Sequence, residues 1–194
     1  MEVKSLENYV KVYENFLSED ILINFLKICK TSTKFKDADI LGDDQKGGHI
    51  KKEIRDTLVW KMELIENKSL TEVHWSNLFC YFFKNAIEQY LDDFKSFMTF
   101  NITEIQILKY RPGGHYQFHT DSSPGVARTF SCIFFVNDDY EGGDLVFKYP
   151  DTQRLYSVKK QKNTMVVWPS NFLYPHSVQP VTKGERYSVV SWAV

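Results

Sequence analysis

Apolar positions follow two different rhythms along this chain. Trp75, Leu78, Phe79, Phe82, Phe83, Ala86, Ile87, Tyr90, Leu91 and Phe94 recur at steps of three and four, which predicts a long helix laying one broad face on a core. Ser69 and Glu72 stand at capping-box spacing just ahead of it and mark its start. A narrower stripe, Leu22, Phe25, Leu26 and Cys29, predicts an earlier helix with Ser18 as N-cap and Glu19 and Asp20 in the first turn. Val10 to Phe16 alternates like a short strand, and Ile54 to Trp60 reads as a second one.

From Ile102 the period changes. ITEIQILKY, HYQFHTD, RTFSCIFFVN, GDLVFKY, RLYSV, NTMVVWP, PHSVQPV and RYSVVSWAV are short strand candidates, separated by turn chemistry such as PGG, NDDYEGG and TKGE. About eight short strands in succession predict a double sheet, a double-stranded β-helix or jelly roll. The fold class that follows is α+β, mainly β, with N-terminal helices buttressing the jelly-roll core. The polar stretch Thr31 to Lys52, with Gly42, Gly47 and Gly48, is long enough for a lid. Neither a repeat nor a linker interrupts the pattern. Residues 1–194 therefore read as one domain, 1–100 as helical support with the lid loop and 101–194 as the core.

Composition narrows the function. Hydrophobic residues at 43% of 194 positions suit one globular domain. A formal net charge of −1 gives no overall reason to bind nucleic acid or an anionic membrane. Lys159, Lys160 and Lys162 read as solvated loop charges. Cys29, Cys80 and Cys132 have no CxxC spacing and read as small buried side chains rather than a zinc cage or redox pair. The first residues carry charges at Glu2, Lys4 and Glu7 without an apolar signal core, and no apolar run reaches the ~18 residues of a membrane span. A soluble, intracellular protein with no membrane partner is the expectation.

The candidate chemistry sits in HYQFHTD. On a strand, residues two apart share a face, so His119 and Asp121 point together and Thr120 away. A third ligand has to come from another strand, and His176 is the candidate. Two imidazoles and a carboxylate form the facial triad that suits non-haem Fe(II). Taken singly, an H-x-D is weak, and His176 after a proline also reads as a surface histidine. His115 shares the face of His119 in a regular strand, as a spare ligand, a supporting group or simply a partly buried histidine. His49 and His74 read as loop and helix surface. Arg186, on the last strand, is either exposed or a buried guanidinium suited to a dicarboxylate.

The elements YRPGGHYQFHTD, RTFSCIFFVND, EGGDLVF, VVWPSNFLYPHSV and PVTKGERYSVVSW, in that order from Tyr110 to Trp192, resemble the 2-oxoglutarate- and Fe(II)-dependent oxygenases, in their prolyl 4-hydroxylase-like branch. ENFLSEDILINFL is loosely similar to the opening strand and helix of that family. The resemblance implies Fe(II) bound by His119, Asp121 and His176. It implies 2-oxoglutarate held by Arg186 through its far carboxylate, with Tyr110 lending its phenol, Phe135 and Val178 lining the pocket and Trp192 packing behind it. O2 is the second cosubstrate implied, and ascorbate an accessory. Many animal collagen prolyl hydroxylases carry lysine at the position of Arg186, and Phe135 lacks a hydroxyl that some relatives use there. The reaction implied couples decarboxylation of 2-oxoglutarate to succinate and CO2 with hydroxylation of an unactivated C–H, without a general base.

Within that branch the substrate expected is a prolyl side chain in a protein or peptide, with a free amino acid or small metabolite as the alternative. Arg186 and Ser188 also fit the R-x-S pattern of nucleic-acid demethylases, yet no basic stripe with interleaved aromatics supports nucleic acid as partner. A non-enzymatic sandwich, metal-free or sugar-binding, needs His119, Asp121, His176 and Arg186 to fall in register by accident.

Overall fold

In the computed structural model, residues 5–40, 48–62, 69–151 and 153–194 are described. Glu2 and Lys4, with Gly42 and Gly47 of the loop expected as a lid, lie outside them. A 3-10 turn, Leu6–Tyr9, leads into β1 (Lys11–Glu14) and α1 (Glu19–Thr31). Short strands β2 (Lys36–Asp37), β3 (Arg55–Asp56) and β4 (Leu58–Lys61) precede α2 (Leu70–Asp93). The remaining strands are β5 (Ile102–Tyr110), β6 (His115–His119), β7 (Phe130–Phe135), β8 (Glu141–Gly142), β9 (Leu145–Lys148), β10 (Leu155–Val158), β11 (Thr164–Pro169), β12 (His176–Val178), β13 (Val181–Lys183) and β14 (Arg186–Ala193). No described helix is long and apolar enough to cross a membrane.

Two antiparallel sheets form the jelly roll. One runs β1-β11-β7-β14-β5-β4-β2 and the other β10-β9-β12-β6-β3, with β13 and β8 paired separately. Alternation along the long strands serves two cores at once. Ile105 and Ile107 of β5, Phe134 of β7 and Val189 of β14 pack with Phe25, Trp75, Phe79 and Phe83 of the helices. Their neighbours Leu108, Ile133, Phe135 and Val190 face the other sheet, against Leu145, Phe147 and Val178. Both helices therefore cover one face of the seven-stranded sheet, and the space between sheets is left for the site.

The helices start where capping chemistry places them. Ser69 Oγ accepts from the Glu72 amide at 3.3 Å, and the Glu72 carboxylate accepts from the Ser69 amide at 3.2 Å. Glu72 also accepts from Trp60 Nε1 at 3.2 Å and pairs with Lys34, so this cap ties α2 to β4. Ser18 occupies the N-cap of α1 without a side-chain hydrogen bond.

Ile54 to Trp60 is not one strand. It divides into β3, paired with β6 in the smaller sheet, and β4, paired with β5 in the larger. The chain passes from β5 to β6, between sheets, through the turn Arg111 to Gly114, and a segment pairing with both must make the same crossing. Buried Thr57 marks the crossover and donates to Lys109 O at 3.1 Å. Gly113 has φ +89 in that turn, and a Cβ on Gly114 would stand 2.8 Å from Arg111 O, so both positions need glycine. Lys162 is exposed as expected and pairs with Glu19 at the surface, whereas Lys160 is partly buried and its Nζ donates to Tyr140 O at 2.8 Å.

Candidate active site

Strands β6 and β12 lie side by side, with His119 opposite His176. Tyr116 stands opposite Val178, so three steps on β6 match two on β12 and the strand bulges between them. The bulge reverses the phase expected of a regular strand. Tyr116 and His119 come to the same side, their rings stacked with centroids 3.6 Å apart. His115 is turned away, its ring nitrogens 3.1 Å from Gly113 O and 3.2 Å from Glu53 O. It is partly buried and stands outside the cluster.

Asp121 lies beyond the end of β6, so strand alternation does not aim it at His119. The turn after His119 does, together with Ser131 on β7, whose hydroxyl donates to Asp121 Oδ2 at 2.6 Å. Ser170 Oγ stands 2.7 Å from Ser131 Oγ and completes the chain of hydroxyls. Ligand-capable atoms of His119, Asp121 and His176 all fall within 4.8 Å of one another.

The state of each group suits a metal. His119 Nδ1 is 2.8 Å from Gln117 O and His176 Nδ1 is 3.1 Å from Tyr174 O. A carbonyl oxygen only accepts, so each Nδ1 carries a hydrogen, which leaves Nε2, the nitrogen turned toward Asp121, as the ligand atom of each ring. Those Nε2 atoms are 3.6 Å and 3.4 Å from the Asp121 carboxylate. Burial brings His176 down to about 4 against the pull of Asp121, which leaves it neutral near pH 7. Burial pushes Asp121 up, but in the acid range where it titrates the attraction of His176, the contacts with His119 and the Ser131 hydroxyl outweigh it and hold the carboxyl well below its usual range. It is therefore ionised before His176 loses its proton. Neutral imidazoles and an ionised carboxylate are the metal-binding forms. Two nitrogens and one oxygen on one side of an ion suit Fe(II) and leave positions for other ligands.

A cavity of about 700 Å³ opens beside this cluster between the two sheets. Tyr110, Val178 and Trp192 line it along with His119, Asp121 and His176. Trp192 thus forms part of the wall itself rather than packing behind it. Its indole carries the Arg128 guanidinium at 3.7 Å from the ring centroid, and Arg128 Nη1 donates to Asp121 O at 3.3 Å. Phe135, expected to line the pocket, does not reach its surface; it stands with Arg186 behind Tyr110.

Arg186 is fully buried. Its Cα partner on β5 is Tyr110, and Ser188 is opposite Phe135 on β7. The guanidinium lies 5.0 Å from the Tyr110 ring centroid and 5.4 Å from that of Phe135, and its Nη1 donates to Ser188 Oγ at 2.9 Å. Nε and Nη2 of Arg186 and the hydroxyl of Tyr110 have no hydrogen-bond partner. A buried cation and a buried phenol without acceptors are costly, and a carboxylate is the group that satisfies both. The donor set therefore fits the distal carboxylate of 2-oxoglutarate. Ser131, Ser170, Tyr116 and Arg128 were not foreseeable, because serine and tyrosine in an apolar strand carry no mark of the atom they will touch.

Residues 105–194 match the sequence model of the 2OG-Fe(II) oxygenase superfamily. A PKHD-type hydroxylase of Pseudomonas putida is 39% identical over 93 residues, covering 43% of this chain and 39% of that protein. One from Picosynechococcus is 39% identical over 88 residues, with 38% of it covered. The chain thus spans about two-fifths of the length of these curated relatives. Among solved structures, a P. putida prolyl-4-hydroxylase superposes with TM-score 0.68 at 22% identity, covering 95% of this chain and 91% of that one. The prolyl hydroxylase of Trichoplax adhaerens, in complex with a hypoxia inducible factor peptide fragment, gives TM-score 0.71 at 16% identity, with coverage of 96% and 83%. At those identities the likeness is one of fold.

Proposed function

We propose, from the match of residues 105–194 to the 2OG-Fe(II) oxygenase superfamily model, that this chain is a 2-oxoglutarate-dependent dioxygenase hydroxylating a prolyl residue in a protein or peptide. The observation that carries the reaction class is one cavity bearing a His119, Asp121, His176 cluster beside a buried, acid-free Arg186. Residues 1–194 act as one unit in this reading, with α1 and α2 stiffening the sheet whose other face carries the site. The prolyl substrate is supported by the likeness in fold to the P. putida prolyl-4-hydroxylase and the Trichoplax prolyl hydroxylase and by the size of the cavity, which exceeds the needs of 2-oxoglutarate alone.

His119, Asp121 and His176 would hold Fe(II), with ascorbate as an accessory reductant. Bound iron supplies activation of O2 coupled to decarboxylation of 2-oxoglutarate, which yields succinate, CO2 and a hydroxylated substrate. The chain's own work is placement and dryness. Gln117 O and Tyr174 O fix the two imidazoles, and Ser131 fixes the rotation of Asp121. Arg186 and Tyr110 orient the cosubstrate from its far end. Leu108, Ile133, Leu145, Val178 and Val190 keep water from the space between. Tyr116 and Trp192, whose rings already carry His119 and Arg128, form an aromatic part of the wall, and Asp39 and Ile40, at the described edge of the 31–52 stretch, border the substrate's path.

Succinate release from 2-oxoglutarate, with Fe(II), O2 and a prolyl peptide, tests the reading. Peptide-dependent succinate that vanishes in His119→Ala is the expected result. Release coupled to free proline but not to peptide would transfer the substrate assignment to a free amino acid, and absence of 2-oxoglutarate binding to metal-loaded protein would sink the reaction class.

A further inference from the structure

Behind the cavity wall at Tyr110, where Arg186 lies 5.0 Å from the Tyr110 ring centroid, stands a third donor. Tyr140 precedes β8, its side chain is buried, and its hydroxyl has no hydrogen-bond partner. Gly143 shows how near it comes to Arg186. A Cβ built there would meet Arg186 Cδ at 3.0 Å and Tyr140 Cε2 at 3.1 Å. Each of those carbons is within two bonds of an unpartnered polar atom, Nε on one side and the phenol oxygen on the other. Any residue larger than glycine at 143 would push the two side chains apart, and its φ of +64 is a second reason for glycine.

The loop that presents Tyr140 is pinned on both sides. Asn137 Nδ2 donates to Glu185 O at 2.8 Å, and its Oδ1 accepts from the Tyr187 amide at 2.7 Å, tying the segment to the start of β14. Lys160 Nζ donates to Tyr140 O at 2.8 Å and lies 4.8 Å from the Tyr140 ring centroid. The phenol is therefore held in place rather than left to drift over the guanidinium. Burial is the main influence raising its pKa, so near neutral pH it stays protonated, a donor. Arg186 Nε, Arg186 Nη2, Tyr110 OH and Tyr140 OH make a cluster of donors with no well-formed hydrogen bond among the described residues; Arg186 Nη1 donates to Ser188 Oγ, and the Tyr140 phenol lies close enough to the guanidinium for Arg186 to pull its pKa down against burial. Such a cluster lacks an anion.

We propose that the Tyr140 hydroxyl is a third anchor for the distal carboxylate of 2-oxoglutarate, donating to it beside Arg186 and Tyr110. The inference rests on the reading above and extends it to a residue that reaches the cosubstrate from outside the two sheets. It also supplies, from the loop before β8, a hydroxyl that the strand cannot offer at Phe135. Tyr140 is a binding residue here and moves no proton.

The test is calorimetric titration of the Fe(II)-loaded protein under anaerobic conditions, with 2-oxoglutarate and with 2-oxobutyrate, which keeps the chelating end and lacks the distal carboxylate. Tyr140→Phe should weaken 2-oxoglutarate by about ten- to a hundredfold, the worth of one hydrogen bond to a charged group. It should leave 2-oxobutyrate within about twofold, since additive behaviour is expected of a group that does not touch the ligand. The melting temperature of the ligand-free variant should stay level or rise, because an unpaired buried hydroxyl has been removed. Equal loss of both ligands, a fall in the ligand-free melting temperature, or unchanged 2-oxoglutarate affinity each overturns the role of Tyr140. Wild-type protein that binds neither ligand overturns the dioxygenase reading itself.

Discussion

The two ends of the cavity are built on opposite rules. At the histidine end the three candidate ligands have their supporting partners before any ion arrives: Nδ1 of each histidine meets a carbonyl, and Asp121 meets Ser131, which meets Ser170. At the arginine end Nε and Nη2 of Arg186 and the hydroxyls of Tyr110 and Tyr140 are buried without partners. The first end is stiff and ready for an ion, with supporting groups setting tautomer and orientation. The second stores an unmet demand for negative charge, which a dicarboxylate meets on binding. Stability and affinity should therefore move together at one end and in opposite directions at the other.

The largest effect that distinguishes them is expected of Arg186→Met. Removing the guanidinium should weaken 2-oxoglutarate by about 10²–10³-fold, as for loss of one partner of a buried charged pair. The ligand-free protein should nonetheless melt higher, by about 2–4 °C for each kcal/mol recovered from the buried unpaired cation. Calorimetry and thermal denaturation read the two changes, and a lower melting temperature would break the contrast.

Ser131→Ala probes the other end. Loss of this hydroxyl leaves Asp121 Oδ2 and Ser170 without their shared partner, and both quantities should fall: metal affinity by about 10–100-fold and stability by about 1 kcal/mol. Competition with a chelator measures the first and urea denaturation the second. Unchanged metal affinity would mean that the turn alone aims Asp121.

The smallest effect lies far from the cavity, at the α2 cap. Lys34 is the main influence lowering the Glu72 carboxyl to about 2, with burial opposing it and Ser69 and Trp60 assisting. A carboxyl depressed on folding stabilises above its unfolded value, near 4.5, and that contribution fades as pH falls toward 2. Glu72→Gln should cost about 1 kcal/mol at neutral pH and should flatten the acid limb of the stability profile between those values. A parallel acid limb in the variant would show that other carboxylates set it.

Much of this architecture was legible in the order of residues. The stripe from Trp75 to Phe94, the Ser69–Glu72 cap and the long strands Ile102–Tyr110 and Arg186–Ala193 stand where their periodicity puts them, because local spacing decides which face can be apolar. His119 and Asp121 could be picked out by their spacing and His176 as a third candidate, whereas periodicity left Arg186 open between surface and interior and only the family resemblance assigned it. Where those groups point was another matter. The bulge in β6, the turn that delivers Asp121, the split of Ile54 to Trp60 between two sheets, and the approach of Tyr140 to Arg186 over Gly143 all depend on strands distant in sequence. Periodicity is a property of one strand, whereas register and crossover are properties of pairs. The sequence by itself determined the candidate ligands, and only the packing of two sheets decided which of their atoms would meet and which further side chains would join them.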